Sequence, residues 1–171
     1  MKGFTLIEIL VVMAITVLLT GLLIQSFARA RTDLNQITGQ VADAIREAQS
    51  SALSGALVRG TYRCGYGIHF DAGGYTIFAG PDATQPGVNC AAGRVLGTGT
   101  SVVSTAILTN NTIEIAPAPD IFFEPPNPTT YINGSNAPGI PATIIIRVKG
   151  ATCPGADCRS INVTTSGLIQ Q

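Results

Sequence analysis

Charge is what this chain has least of. Asp, Glu, Lys and Arg make up 12% of its 171 residues, about half the usual share, and so poor a charged surface suits a subunit packed against copies or partners. Beyond the first helix the signs balance: Arg59, Arg63, Arg94, Arg147, Lys149 and Arg159 face Asp71, Asp82, Glu114, Asp120, Glu124 and Asp157. That leaves no net attraction for phosphate, so nucleic acid is not an expected partner. The only histidine is His69, alternating with Ile68 and Phe70 in a predicted strand, where it reads as structural. No G-x-S-x-G elbow, H-E-x-x-H, Walker loop or G-x-G-x-x-G occurs, so the usual constellations of an enzyme are missing. Asp71, Asp82, Asp120 and Asp157 lack EF-hand spacing and read as turn formers, so neither metal nor cofactor is expected. Proline is absent from residues 1–59 and cysteine from residues 1–63, which leaves the first third of the chain free to be one helix.

What is there begins with an apolar run. Residues 4–24 make 21 positions whose only charge is Glu8. At about 1.5 Å per residue, a helix of that length spans on the order of 30 Å of hydrocarbon. A carboxylate inside such a helix costs about 2.5–3.5 kcal/mol, so it survives where something pairs it. Nothing in its own segment can. The nearest positive group is the amino terminus that cleavage after Gly3 would create at Phe4, its own or a neighbouring subunit's. Two plainer readings compete. A secretory signal would use Lys2 as its basic start and Ala28-Arg29-Ala30 as its cleavage site, but its apolar core runs to only about 7–15 residues. An anchored envelope protein that never polymerises would leave Glu8 an expensive accident. Flanking charge does not orient the segment, because Lys2 precedes it while Arg29 and Arg31 follow it.

Gly3-Phe4-Thr5-Leu6-Ile7-Glu8-Ile9-Leu10-Val11-Val12 closely resembles the prepilin processing motif of type IV pilins and type II secretion pseudopilins. The small residue, Phe, Thr, Glu and apolar run all fall at the required offsets. The resemblance implies a leader peptide at 1–3, cleavage between Gly3 and Phe4 by a prepilin peptidase, and N-methylation of Phe4. It also implies that Glu8 neutralises an adjacent subunit's terminus during filament growth. The fold implied is α+β, the pilin fold: a long N-terminal helix with a transmembrane half and an amphipathic half, packed on an antiparallel β-sheet domain. The partners implied are other pilin or pseudopilin subunits. The location implied is the bacterial inner membrane, single pass with the C-terminal domain periplasmic, and then a pilus or pseudopilus. Ala44-Ile45-Arg46-Glu47-Ala48-Gln49-Ser50-Ser51-Ala52 is similar to the helix end of GspH/FimT-type pseudopilins and minor pilins. Two departures stand out. The pilin family commonly carries a proline near the position of Gln25, and this chain has none. DNA-binding members carry arginines near the carboxyl terminus, whereas residues 166–171 read Ser-Gly-Leu-Ile-Gln-Gln, so a DNA-uptake or surface-binding role is the second reading.

After the apolar run the pattern becomes amphipathic, over residues 25–57. Phe27, Ala30, Leu34, Ile37, Val41, Ala44, Ile45, Ala48 and Ala52 recur at three- and four-residue intervals, with Arg29, Asp33, Gln36, Gln40, Asp43, Arg46 and Glu47 on the other faces. The spacing predicts a helix from about residue 4 to about residue 55. Gly21 and Gly39 are its weak points, each costing about 1 kcal/mol against alanine.

Residues 58–171 read as β, with turn signals between short β-branched or aromatic runs. Strands are expected near Thr61–Phe70, Gly74–Ala79, Arg94–Leu96, Ser101–Leu108, Thr112–Ala116, Ile121–Phe123, Ala142–Lys149 and Arg159–Thr164. Asp71-Ala-Gly-Gly74 reads as a hairpin connection, and the last two strands read as a closing hairpin. Residues 116–141 hold seven of the ten prolines and read as a long solvent-facing excursion suited to partner contacts. Cys64, Cys90, Cys153 and Cys158 all follow the apolar run, and an even number there suits an oxidising compartment. Three pairings are possible. Cys64–Cys90 with Cys153–Cys158 is the most local, and zinc is disfavoured because no C-x-x-C knuckles occur.

Overall fold

The computed structural model describes residues 5–97, 99–126 and 129–171, and of residues 22–30 the backbone alone. One helix, α1, spans Leu6–Ser54. Contacts divide the chain into two units, Met1–Asp33 and Leu34–Gln171. In the second unit Leu34, Ile37, Val41, Ala44, Ile45, Ala48 and Ala52 are buried, while Gln36, Gln40, Asp43, Arg46 and Glu47 are exposed, the stripe that their spacing dictates. The side chains of Phe27 and Ala30 lie outside the described residues. Thr38, buried on the apolar stripe, donates its hydroxyl to the Leu34 carbonyl at 2.7 Å, which removes the cost of an unpaired polar group. The helix stops at Gly55, whose φ is +60°. The Gly55 N–H donates to the Ala52 carbonyl and the Ala56 N–H to the Ser51 carbonyl, a Schellman closure that needs a residue comfortable in the left-handed region.

All strand pairs are antiparallel. A small hairpin follows α1, with β1 (Leu57–Val58) paired to β2 (Thr61–Tyr62) around Arg59 and Gly60, both at positive φ. A five-stranded sheet contains β3 (Tyr66–Asp71), β4 (Gly74–Ala79), β5 (Ser101–Ile107), β7 (Ile121–Glu124) and β8 (Thr129–Ile132), in the order β5-β4-β3-β7-β8. A four-stranded sheet contains β6 (Ile113–Ile115), β9 (Ala142–Val148), β10 (Cys158–Val163) and β11 (Ile169–Gln170), in the order β11-β10-β9-β6. The α1 stripe, one face of the five-stranded sheet (Tyr66, Ile68, Phe70, Ile77, Ile121, Phe123) and one face of the other (Ile144, Ile146, Ile161, Val163) form a single core. Each such buried side chain contributes about 1.5–3 kcal/mol relative to exposure.

Several expectations change. Thr61–Phe70 is two elements, because Arg63 bridges to Asp82 and Cys64 is turned to its disulfide between them. Arg94–Leu96 is no strand. The Arg94 side chain and the Leu96 amide bind other segments, and the stretch belongs to a strap, residues 81–97, that reaches Asp120, Glu124 and Tyr131 at the other face of the five-stranded sheet. The excursion at 116–141 is not solvent-facing throughout. It supplies β7 and β8, with Ile121, Phe122, Phe123, Thr130 and Ile132 buried, and only its last part, 133–141, is largely exposed.

That other face of the five-stranded sheet carries a second, smaller apolar layer. Phe78 and Phe122 are fully buried there, their ring centroids 6.0 Å apart. Gly67 makes room for the Phe78 ring, since a Cβ at that position would lie 2.5 Å from it. The strap is tied down by the Cys64–Cys90 disulfide and by Arg94, which donates twice to Glu124 at 2.8 and 3.1 Å and lies 3.6 Å over the Tyr131 ring.

Candidate assembly site

Gly3 and Phe4, the residues expected at the processing point, lie outside the described residues. In the first described turn Glu8 also stands at a helix-capping position. The Thr5 carbonyl accepts from the Glu8 and Ile9 N–H groups at 3.1 and 3.4 Å, so Thr5 stands at the N-cap and Glu8 three residues on. Thr5-x-x-Glu8 is capping-box spacing. A carboxylate in the first turn also meets the positive end of the helix dipole, worth about 0.3–1 kcal/mol at an exposed site. This signal was present in the sequence and is independent of any neighbour.

Around Glu8 the helix is unburied. Every large apolar side chain from Leu6 to Leu19 is between 50% and 82% exposed. Glu8, Ile9, Val12 and Met13 line a shallow apolar hollow, as their i, i+1, i+4, i+5 spacing on one helix face requires. Thr16 and Thr20 make no outward polar demand. Thr16 donates to the Val12 and Met13 carbonyls and Thr20 to the Thr16 carbonyl, so the surface offered is apolar save for one carboxylate. Among the described residues no helix is long and apolar enough to cross a membrane; of the 4–24 run, Phe4 and the side chains of 22–24 fall outside that description.

In the second unit the four cysteines pair as Cys64–Cys90 and Cys153–Cys158, with Cα–Cα distances of 5.4 and 5.8 Å. The second closes the turn between β9 and β10, beside the register pair Cys158–Arg147. The basic residues of that hairpin do not form a common patch. Arg147 donates to Glu114 at 2.8 Å, Lys149 to Asn111 at 2.8 Å and Arg159 to Asn35 at 2.9 Å. Of the aspartates, Asp82 accepts from the Thr84 N–H and hydroxyl, and Asp71 and Asp120 converge on His69. Its Nδ1 is 2.6 Å from Asp120 Oδ1 and its Nε2 3.4 Å from Asp71 Oδ1. The histidine therefore has two partners, one of them 51 residues away, where no local pattern reveals it. Burial of His69 opposes its charged form, but the hydrogen bond and charge of Asp120, and then those of Asp71, outweigh it and raise the pKa above the ordinary value. Among the described residues no group of three or more His, Cys, Asp or Glu is placed to hold a metal ion.

No curated protein and no solved structure is significantly similar to the chain. A model of the prokaryotic N-terminal methylation motif matches residues 1–24. The exposed apolar helix start with its single carboxylate thus lies within the N-terminal methylation motif that is the hallmark of type IV pilin-like and pseudopilin prepilins.

Proposed function

We propose that the protein is a structural subunit, a minor pilin or pseudopilin, of a type IV pilus or type II secretion pseudopilus, and not an enzyme. A prepilin peptidase cleaves between Gly3 and Phe4, and Phe4 becomes the N-methylated terminus. Residues 4–24 first hold the chain in the inner membrane with the β domain on the periplasmic side, the compartment that two disulfides suit. They then bundle with other subunits' helices in the filament core, where Glu8 pairs with the terminal amine of a neighbour. The β domain stays outside the bundle, and its exposed stretch 133–141 faces partners.

The observation that carries this reading is the helix start itself: unburied apolar side chains from Leu6 to Leu19 with one carboxylate among them, inside a methylation motif. Carboxylate in apolar surroundings is costly when unpaired, and a partner's amine removes that cost. Because Glu8 also has capping-box spacing, two substitutions separate its roles. Glu8→Gln keeps a side chain that serves a capping box but removes the charge, whereas Glu8→Ala removes both. The reading expects both variants to be cleaved and both to be lost from sheared filaments. Normal incorporation of Glu8→Gln would reduce Glu8 to a helix cap and refute the pairing.

A further inference from the structure

The His69–Asp120 contact joins three segments that share no local sequence. Asp120 is buried, its side chain 5% exposed, and each of its polar groups is used. Oδ1 faces His69 Nδ1, and Oδ2 accepts from the Leu96 N–H of the strap at 2.7 Å. Its N–H donates to Asn133 Oδ1 and its carbonyl accepts from the Asn133 N–H, both at 2.9 Å. At Leu96 this carboxylate ties the strap to the sheet, and the disulfide at Cys90 and the Arg94–Glu124 pair act upstream.

We propose that His69 is a pH-gated latch for the strap. Protonated, the imidazolium bridges Asp71 and Asp120 and balances the buried carboxylate that holds the Leu96 amide. Neutral, it still reaches Asp120 through one N–H, but the carboxylate is then a buried charge without a counter-charge, which weakens the whole junction. The strap then loosens at its Leu96 end while Cys90 stays tethered.

The charged groups facing the imidazole are few. Asp71 is on its own strand, and Asp120 lies just before β7. On β4 and β5 the same face carries Thr76, the register partner of His69, and Thr105, the register partner of Thr76. On the strap, Arg94 is turned to Glu124 and Tyr131. The two carboxylates therefore set the sign. A pKa raised in the folded state means that the latch contributes fully below the unfolded value of about 6.5 and is lost as pH rises through the folded value.

Hydrogen exchange on the full chain in detergent micelles tests this between about pH 5 and about pH 8, where histidine titrates. The exchange of the Leu96 amide is read against amides of α1 between residues 41 and 52, which correct for intrinsic base catalysis. In the wild type, Leu96 protection falls several-fold across the range. In His69→Gln it stays at the high-pH level throughout. In Asp71→Asn, whose site is 68% exposed and remote from the core, the transition moves to lower pH with both plateaus kept, which a merely structural role would not produce. Equal corrected protection at both ends of the range, a wild-type transition in His69→Gln, or an unmoved midpoint in Asp71→Asn overturns the proposal.

Discussion

The two disulfides close loops of very different length, and that difference fixes a ranking of stabilities. Cys64 and Cys90 are 26 positions apart and Cys153 and Cys158 are 5 apart. Loop closure in the unfolded chain then gives about 3.5 kcal/mol for the first and about 2 kcal/mol for the second. Replacing each pair with alanines should therefore destabilise the β domain by amounts about 1.5 kcal/mol apart. Cys64 is buried at 4% exposure, so the lost sulfur contact acts in the same direction and widens the gap. The assay is urea unfolding of residues 30–171, which contain the whole buried core, followed by circular dichroism. With a slope of about 2 kcal/mol per molar urea, Cys64→Ala/Cys90→Ala should melt about 0.7 M below Cys153→Ala/Cys158→Ala. Equal midpoints, or the reverse order, would refute the ranking by loop length.

Three further substitutions probe the same fragment, two of them in α1. Ile45 is fully buried, so Ile45→Ala should cost about 2–5 kcal/mol, while Ile107→Ala, at a side chain 79% exposed on the edge strand β5, should stay within about 0.5 kcal/mol. Both are read as shifts of the urea midpoint. A Cβ at Gly39 would meet nothing within 4 Å, so Gly39→Ala should raise the thermal midpoint through a gain of about 0.5–1 kcal/mol; a loss would mean that the open side of the helix is occupied.

The helix was legible because its period is long and unbroken. Leu34 to Ala52 repeats the three-four interval five times over, and no proline interrupts it. The β3–β4 and β9–β10 hairpins were legible for a related reason, since Tyr66, Ile68 and Phe70 in β3 and Ala142, Ile144 and Ile146 in β9 put apolar side chains on the core face at every second position. Strand β8 was hidden. Thr129–Ile132 sits among Pro125, Pro126 and Asn133-Gly134, and turn residues at both ends mask a four-residue strand that tertiary pairing to β7 completes. Arg94–Leu96 misled in the opposite sense: Val95 suggests a strand, but Arg94 is held by Glu124 and Tyr131 and the Leu96 amide by Asp120. At the assembly site, the charge of Glu8 was legible from its isolation, while its capping-box spacing, equally written in Thr5-x-x-Glu8, was overshadowed by that charge. His69 gained its partner across 51 residues, a distance that only the folded sheet closes.

The central claim is that this chain is processed as a prepilin. Intact mass of the membrane-extracted protein, with terminal sequencing, tests it most directly. The account expects the mature chain to begin at Phe4 with one methyl group on its amine, having lost Met1-Lys2-Gly3. A chain that begins at Met1 would contradict it and leave a plain anchor, and one that begins at Arg31 would contradict it in favour of a secreted β protein.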